Sequence, residues 1–546
     1  MSALAQQLGP AMLIATLAAP LIVLAGSLST RMRALAWAMA PVAPLPALAA
    51  GTLAIGGAPF GAELPALRVS LWLDRPGGLL LAAAAVVWLM RSVFALTHRA
   101  GRPNADRFAV SWLLTMTGSL GVFIAADLLT FYLVYALVSV PAYYLIAHDD
   151  DPASRRAGGV YMAFALLGEA VLLLAFVMLA AGEPSGSLSI RDVVAALPSS
   201  PWRDAAIALV IIAFGMKIGL APMHGWMPLT YTAARIPAAA VLSGAAVKAG
   251  VIGLIRFLPF GEGLSNWGEA LAWLGFISAF YGVAIGVTQR NPKTVLAYSS
   301  ISQMGVIAAA LGMGLASGDQ GATVDAAFYA ANHVLVKAAL FLTVGVVTTL
   351  SGRGRSLALI VAAVLGLSLG GLPFTGGALA KLAVKGLFGD GAAGAAAIAS
   401  GAASTALMLH FVMRLARSSK DARAQASPER LGSWITLAVA ALLVPWLMYL
   451  AIGSPAVALE PAKLWDAVWP MLIGAVAAAG LWAVDDRLPR IPAGDIVVAE
   501  EAAFRASLSL GTAFERGDRG LREWPAAGLA LLMVALALAA AGWASQ

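Results

Sequence analysis

Four of the eight lysines in this 546-residue sequence, Lys217, Lys248, Lys337 and Lys381, stand in the middle of long apolar runs. Glu169 is the acid set deepest in such a run, and His333 precedes Lys337 by four residues, one helical turn along the same face. His224 follows the run that holds Lys217, and His410 lies in a later one. A charge at the centre of a bilayer costs about 3 kcal/mol or more, so each of these residues is a candidate for function. A lysine can gain and lose a proton inside a protein, which an arginine cannot. A row of lysines and histidines at mid-membrane could therefore pass protons from one to the next. A single lysine near the end of a span would be read as snorkelling or as a structural ion pair. Four, all well inside apolar sequence, favour the relay.

The elements that must hold these residues follow from composition. The chain is 60% hydrophobic and only 12% charged. Apolar runs recur from end to end, about sixteen by the criterion of roughly 20 residues per crossing. They are continuous and rich in Ala and Leu, not alternating, so the spans are helices and not barrel strands. The predicted fold class is all-α: a polytopic membrane protein with span centres near Ala18, Pro44, Val87, Gly118, Val138, Leu172, Ile211, Val247, Phe280, Ile307, Ala339, Gly370, Ser404, Leu442, Ala477 and Val534. The first apolar run lacks a basic flank and reads as a span, not as a cleaved signal. With no cysteine, the chain offers no disulfide, thiolate or iron–sulfur chemistry. No cofactor or metal site is expected, and any redox centre must sit on a partner.

Most of the 35 basic residues fall in one alternate set of connections, from Arg31 and Arg33 through Arg91, Arg107, Arg155, Arg156, Arg235, Arg290, Arg353 and Arg355 to Arg414, Arg417 and beyond. The other set holds only Arg68, Arg75, Arg191, Arg203, Arg256, Lys385 and Lys463. The positive-inside rule makes the first side cytoplasmic and both termini periplasmic. The net charge of +7 then concerns topology and lipid headgroups, and nucleic acid is not an expected partner. Residues 485–523 form the longest polar stretch. Within it, residues 499–508 suit an amphipathic helix at the membrane surface as well as they suit a plain connector.

Two of the lysines adjoin helix breakers. Lys217 is followed by Gly219 and Pro222; Lys381 is preceded by Gly370, Gly371, Pro373, Gly376 and Gly377. Interrupted helices at membrane depth are tolerated where they line a hydrated cavity, and paired interruptions mark inverted-repeat transporters. The two sites lie five spans apart, an odd offset, which gives the units opposite orientation. The expected organisation is residues 1–106 as spans one to three, 107–260 as a first repeat unit, 261–420 as a second, and 421–546 as the last three spans with their connector.

These residues also carry a resemblance. Lys217, Pro222, His224, Trp226 and Pro228 resemble a signature of the antiporter-like proton-translocating subunits found in complex I, membrane-bound hydrogenases and Mrp-type Na+/H+ antiporters. Residues 243–250 around Lys248, residues 293–305, residues 332–342 with His333 and Lys337, and the broken segment from Gly371 to Lys381 resemble the signatures that follow in the same order. The resemblance runs from about residue 110 to 420. It implies two half-channels joined by a chain of lysines, histidines and water: Lys217 as the switching lysine of the first half, Lys248 as the bridge, His333 and Lys337 as its continuation and Lys381 as its end. It also implies a non-redox subunit in the inner membrane of a bacterium, assembled with other membrane subunits, in contact with lipid, and moving H+, with Na+ or K+ as alternatives. One departure stands out: Ala136 occupies the place of the glutamate that pairs with the first lysine in the family, leaving Glu169 as the compensating candidate. Tyr329 stands where some members have a further histidine. Three readings stay open: a subunit of a redox pump or cation/proton antiporter; a partner whose proton flow drives another protein's chemistry, such as inorganic-carbon uptake; and a structural subunit that has lost conduction.

Overall fold

The computed structural model describes residues 2–96, 105–148, 151–419, 427–498, 501, 505, 515, 532–534 and 536. The chain opens with α1 (Ser2–Leu28), α2 (Arg33–Met39) and α3 (Leu45–Gly56). A two-stranded antiparallel hairpin follows, β1 (Phe60–Leu64) and β2 (Val69–Leu73), with Phe60 paired to Leu73 and Leu64 to Val69. Then come α4 (Arg75–Leu96), α5 (Ala105–Gly121), α6 (Leu128–Ser139), α7 (Ala142–Ala147), α8 (Pro152–Ala181), α9 (Ile190–Ala196), α10 (Arg203–Ile218) and α11 (Trp226–Ala233). A single span is built from α12 (Ile236–Val241), a π turn (Leu242–Ala246) and α13 (Lys248–Phe257). It is followed by α14 (Ser265–Gly286), α15 (Pro292–Ser317), α16 (Ala322–Val347), α17 (Gly352–Gly370), α18 (Gly376–Phe388), α19 (Ala392–Ala416), α20 (Pro428–Tyr449), α21 (Pro455–Ala458) and α22 (Pro461–Ala483).

Twelve of these segments are long and apolar enough to cross a membrane, and they coincide with twelve of the sixteen expected spans. Of the others, α5 has 17 residues and α10 has 16, each about 25 Å long. The expected span near Pro44 is only the 12-residue α3, because Pro41 and Pro44 break the run before it. The expected span near Val534 and the amphipathic segment at residues 499–508 lie largely outside the described residues. Those that are described, among them Glu501, Arg505 and Val534, are helical. The chain from Gly494 onward is a separate unit. The hairpin is a departure from an all-helical chain. Arg91 is another. It was expected in a connection, but it lies buried within α4 and donates from its guanidinium to Ile236 O at 2.7 Å.

The helices sort by what they face. α8, α17, α20 and α22 carry large apolar side chains outward, including Leu173, Val177, Ile360, Leu447 and Val476, as surfaces in contact with hydrocarbon do. The α12–α13 span, α15 and α16 are enclosed, and α16 packs against α4, α15, α17, α18 and α20. This is a multi-pass membrane protein in which Lys248, His333 and Lys337 lie on the enclosed helices. The closest helix pair is α14 with α15. A Cβ on Gly275 would come within 2.4 Å of Gly305 O, and one on Gly312 within 2.4 Å of Ala272 N. Gly268 and Gly282 meet Ala316 and Ser302 in the same way. Small residues at such spacing let backbones touch where lipid gives no hydrophobic drive for association.

Candidate functional site

At the centre, α13 and α16 bring three ionisable side chains together. Lys248 Nζ lies 2.7 Å from His333 Nδ1 and donates to Ser243 O at 3.1 Å. The π turn makes the second contact available. Val247 N–H bonds Leu242 O, five residues back, rather than Ser243 O, so the Ser243 carbonyl is open to the lysine. One turn further along α16, Lys337 Nζ donates to Leu296 O of α15 at 2.8 Å. Lys248, His333 and Lys337 have no exposed surface, and His333 Nε2 has no hydrogen-bond partner.

Lys381 sits past the break between α17 and α18. Gly371 ends α17 at φ +106, a left-handed conformation that a β-carbon disfavours, and the chain re-enters the helix at Gly376. Lys381 Nζ donates to Gly370 O at 2.5 Å, a carbonyl at the end of α17. Gly401 of α19 makes room for the amine: a Cβ there would lie 2.8 Å from Nζ. Between α16 and α19 runs a buried hydrogen-bonded bridge. Tyr329 Oη donates to Gln303 Oε1 at 2.9 Å, and Gln303 Nε2 donates to Ser404 Oγ at 3.0 Å. Ser404 is three residues from Gly401 on α19, so the bridge ends within a turn of the helix segment beside Lys381.

Lys217 is the last polar residue of α10 before Gly219, which caps that helix at φ +72. Its amine donates to Ser139 Oγ at 2.7 Å and lies 4.8 Å from the centroid of the Tyr135 ring. Ser139 is one turn beyond Ala136 on α6, so a hydroxyl meets the lysine next to the position at which the resemblance implies a carboxylate. Glu169 of α8 is 7% exposed and lies within electrostatic range of Lys217, Tyr135 and Tyr161, but no ion pair within 4.0 Å joins it to Lys217. A small cavity lined by Tyr135, Ser139, Tyr161, Gly168, Lys217 and Trp226 opens beside the amine. His224, in the break after α10, is buried against the rings of Tyr281 and Tyr298 at 4.8 and 6.4 Å, and none of the four lysines bonds to it. His410 is also apart from the lysines. Its Nε2 contacts Gln289 O at 2.9 Å and Arg414 Nε at 3.3 Å, where Arg414 pairs with Asp485. Among the described residues no cluster of three or more His, Cys, Asp or Glu side chains could hold a metal.

Residues 125–404 match the family model described as "NADH:quinone oxidoreductase/Mrp antiporter, TM". The chain belongs to this family. Among curated relatives, it is 33% identical over 300 residues to NAD(P)H-quinone oxidoreductase chain 4 1 of Nostoc sp., covering 52% of this chain and 53% of that one. It is 27% identical over 292 residues to hydrogenase-4 component B of Escherichia coli, covering 51% and 43%. The chain spans about half the length of the curated relatives it matches. Among solved structures, the Mrp complex from Dietzia sp. DQ12-45-1b aligns with a TM-score of 0.73 at 23% identity, over 98% of this chain and 63% of that one. The membrane-bound sulfane sulfur reductase, an archaeal respiratory membrane complex, aligns at 0.68 and 21% identity, over 96% and 99%. At these identities the structural likeness speaks for the fold.

Within this antiporter-family fold, the sequence-predicted residues divide by contact. Lys248 and His333 are joined directly, and Lys337 is one turn away; Lys381 and Lys217 each stand at a helix break, and His224 is set apart. Sequence reading missed Ser139 and the Gln303–Ser404 bridge. Serine is common in these spans and carries no charge penalty to mark it. Gln303 is the more legible of the two, as an amide in the middle of the apolar run of α15.

Proposed function

We propose that this chain is an ion-translocating membrane subunit in which protons move along the line Lys248, His333, Lys337 and Lys381, with water between them, while the Tyr329–Gln303–Ser404 bridge braces α16 against α15 and α19 beside that line. The observation that carries this reading is the 2.7 Å contact between Lys248 and His333 in a fully enclosed part of a membrane protein. Two buried basic groups in hydrogen-bond contact can hand a single excess proton from one to the other, which is the working unit of a relay, whereas a structural site would pair each cation with an anion. Support for two inverted units, residues 107–260 and 261–420, comes from the breaks at Gly219 and Gly371, each with a positive φ and each beside a lysine. Residues 1–106 and 421–546 flank the two units. Lys217 is the ionisable group of the first unit, with Ser139 in place of a paired carboxylate, Glu169 as the nearby compensating charge and His224 as a packed neighbour of the break.

The relatives named above point to a partnered life. One is a chain of a quinone oxidoreductase, one a hydrogenase component, and the structural matches are multi-subunit membrane complexes. We place this chain in the bacterial inner membrane, both termini periplasmic, as a non-redox subunit of such a complex. H+ is the primary ion, and Na+ or K+ enters if the complex is an exchanger. The test is ion flux in proteoliposomes containing the chain with its partner subunits. Lys337→Met and Lys381→Met are each expected to lower ion-coupled activity by about two orders of magnitude, the usual range for losing a proton-transfer group, while assembly persists. Full activity in both variants would overturn the relay. A first unit that conducts nothing is favoured by one observation, the hydroxyl in place of a carboxylate at Lys217, and would show as an unaffected Lys217→Met variant.

A further inference from the structure

Helix α16 carries ionisable or hydroxyl side chains at four-residue intervals: Asp325, Tyr329, His333 and Lys337. Side chains so spaced share one face and drift by about 40° per step. From Lys337 to Asp325 the helix rises about 18 Å, slightly more than half the roughly 30 Å hydrocarbon core. Burial follows the same line. Lys337 and His333 have no exposure, Tyr329 has 2%, and Asp325 is half-buried. His333 engages Lys248 through Nδ1, and its other nitrogen, fully buried, has no hydrogen-bond partner. Tyr329 turns its hydroxyl to Gln303. At the mouth, Asp325 acts electrostatically on Tyr449, the last residue of α20, whose ring lies 5.6 Å from that of Phe328, and Asp319 adds a second carboxylate on the exposed connection before α16.

We propose that this stripe is an access route separate from Lys381, linking the central cluster to the membrane face at the N-terminal end of α16, with Asp325 as its surface group and Tyr329 as its gate. The inference rests on the relay reading of Lys248, His333 and Lys337. A proton held on His333 Nε2 passes, with water between, to Tyr329 Oη; the hydroxyl gives up its own proton toward Asp325 and stays neutral; the carboxyl then releases one proton to the aqueous phase. One proton leaves the cluster for each one delivered. The hydrogen bond to Gln303 holds the hydroxyl away from this line, so opening requires it to turn from Gln303.

The chain has no cysteine, so Asp325→Cys introduces one thiol into it. In oriented vesicles carrying the assembled complex, a membrane-impermeant maleimide is expected to label that thiol from one side only, the side of the α16 N-terminus. Tyr329→Phe, which keeps the ring, and Asp325→Asn are each expected to lower ion flux by about tenfold or more; Tyr329→His, which restores a group able to relay a proton, is expected to keep flux near that of the parent. A thiol at 325 that labels from neither side overturns the route. So does parental flux in both Tyr329→Phe and Asp325→Asn alongside an inactive Lys337→Met. Parental flux in Lys337→Met overturns the relay reading itself, and the route falls with it.

Discussion

The Lys248–His333 contact makes a quantitative prediction. Two unit charges 2.7 Å apart repel by about 6 kcal/mol at an effective dielectric constant of about 20. That corresponds to about four orders of magnitude in population, so the doubly charged pair is not a working state. The pair therefore carries at most one excess proton, and in the proposed relay each group needs the other to pass it. Lys248→Met removes the partner of Nδ1 and leaves His333 with both ring nitrogens unengaged; His333→Ala leaves the Lys248 amine with only Ser243 O. Each single variant is expected to lose about two orders of magnitude in ion flux. The double variant is expected to be no worse than the worse single, because the unit is already broken. The assay is a pH-indicator flux measurement in proteoliposomes holding the assembled complex, normalised to assembled protein. Losses that multiply in the double variant would refute the shared-proton argument, since they would mean that two independent groups had been removed.

At the first unit, Ser139→Ala removes the hydrogen bond of a buried amine, worth about 1.5–3 kcal/mol, and should lower any flux that depends on Lys217. Ala136→Glu should be tolerated, and Glu169→Gln should be costly if Glu169 supplies the compensating charge; parental flux in Glu169→Gln with a dead Lys217→Met counts against that role. For topology, reporter fusions after Arg156 should read cytoplasmic and fusions within residues 183–187 periplasmic; the reverse pattern would invert the orientation. Asp74, at the connection from β2 to α4, is pushed up by burial, but the Arg256 guanidinium and the Gly77 N–H outweigh this and hold its carboxyl below the ordinary 3.8. A carboxyl lowered in the folded state stabilises above its unfolded pKa and loses that contribution as pH falls through the folded one. The detergent-solubilised protein should therefore lose thermal stability as pH drops below about 4, and Asp74→Asn should be less stable at neutral pH with a weaker dependence in that window.

The long spans and the four lysines could be read from the chain because apolar length and buried charge are both expensive to misplace. The breaks at Gly219 and Gly371 were legible for the same reason, since glycine and proline have few other uses at that depth. Arg91 was misread because a basic residue near the end of an apolar run looks the same in sequence whether it lies in a connection or is drawn inside to a backbone carbonyl. The hairpin at Phe60–Leu73 escaped because its strands are five residues each, too short to compete with helical periodicity in their surroundings. Ser139 and Ser404 were invisible for a different reason. A serine hydroxyl satisfies itself on the preceding turn of its own helix, so only three-dimensional neighbours show which ones meet a lysine or an amide.

The glycine seam between α14 and α15 bears on how such a machine could move. Two helices whose backbones touch at Gly268, Gly275, Gly282, Gly305 and Gly312 have no slack in which to slide or rotate against each other. That pair also presents Leu296 O to Lys337, Gln303 to Tyr329 and the Ser278 hydroxyl to Ala221 N at 2.9 Å. In the proposed relay it is the stator: a fixed frame that offers docking points to α16 and to the break after α10. If the proposed relay opens one side of the membrane and closes the other, the parts left to move against that frame are the interrupted ones, α10 with α11, the π-turned α12–α13 and α17 with α18.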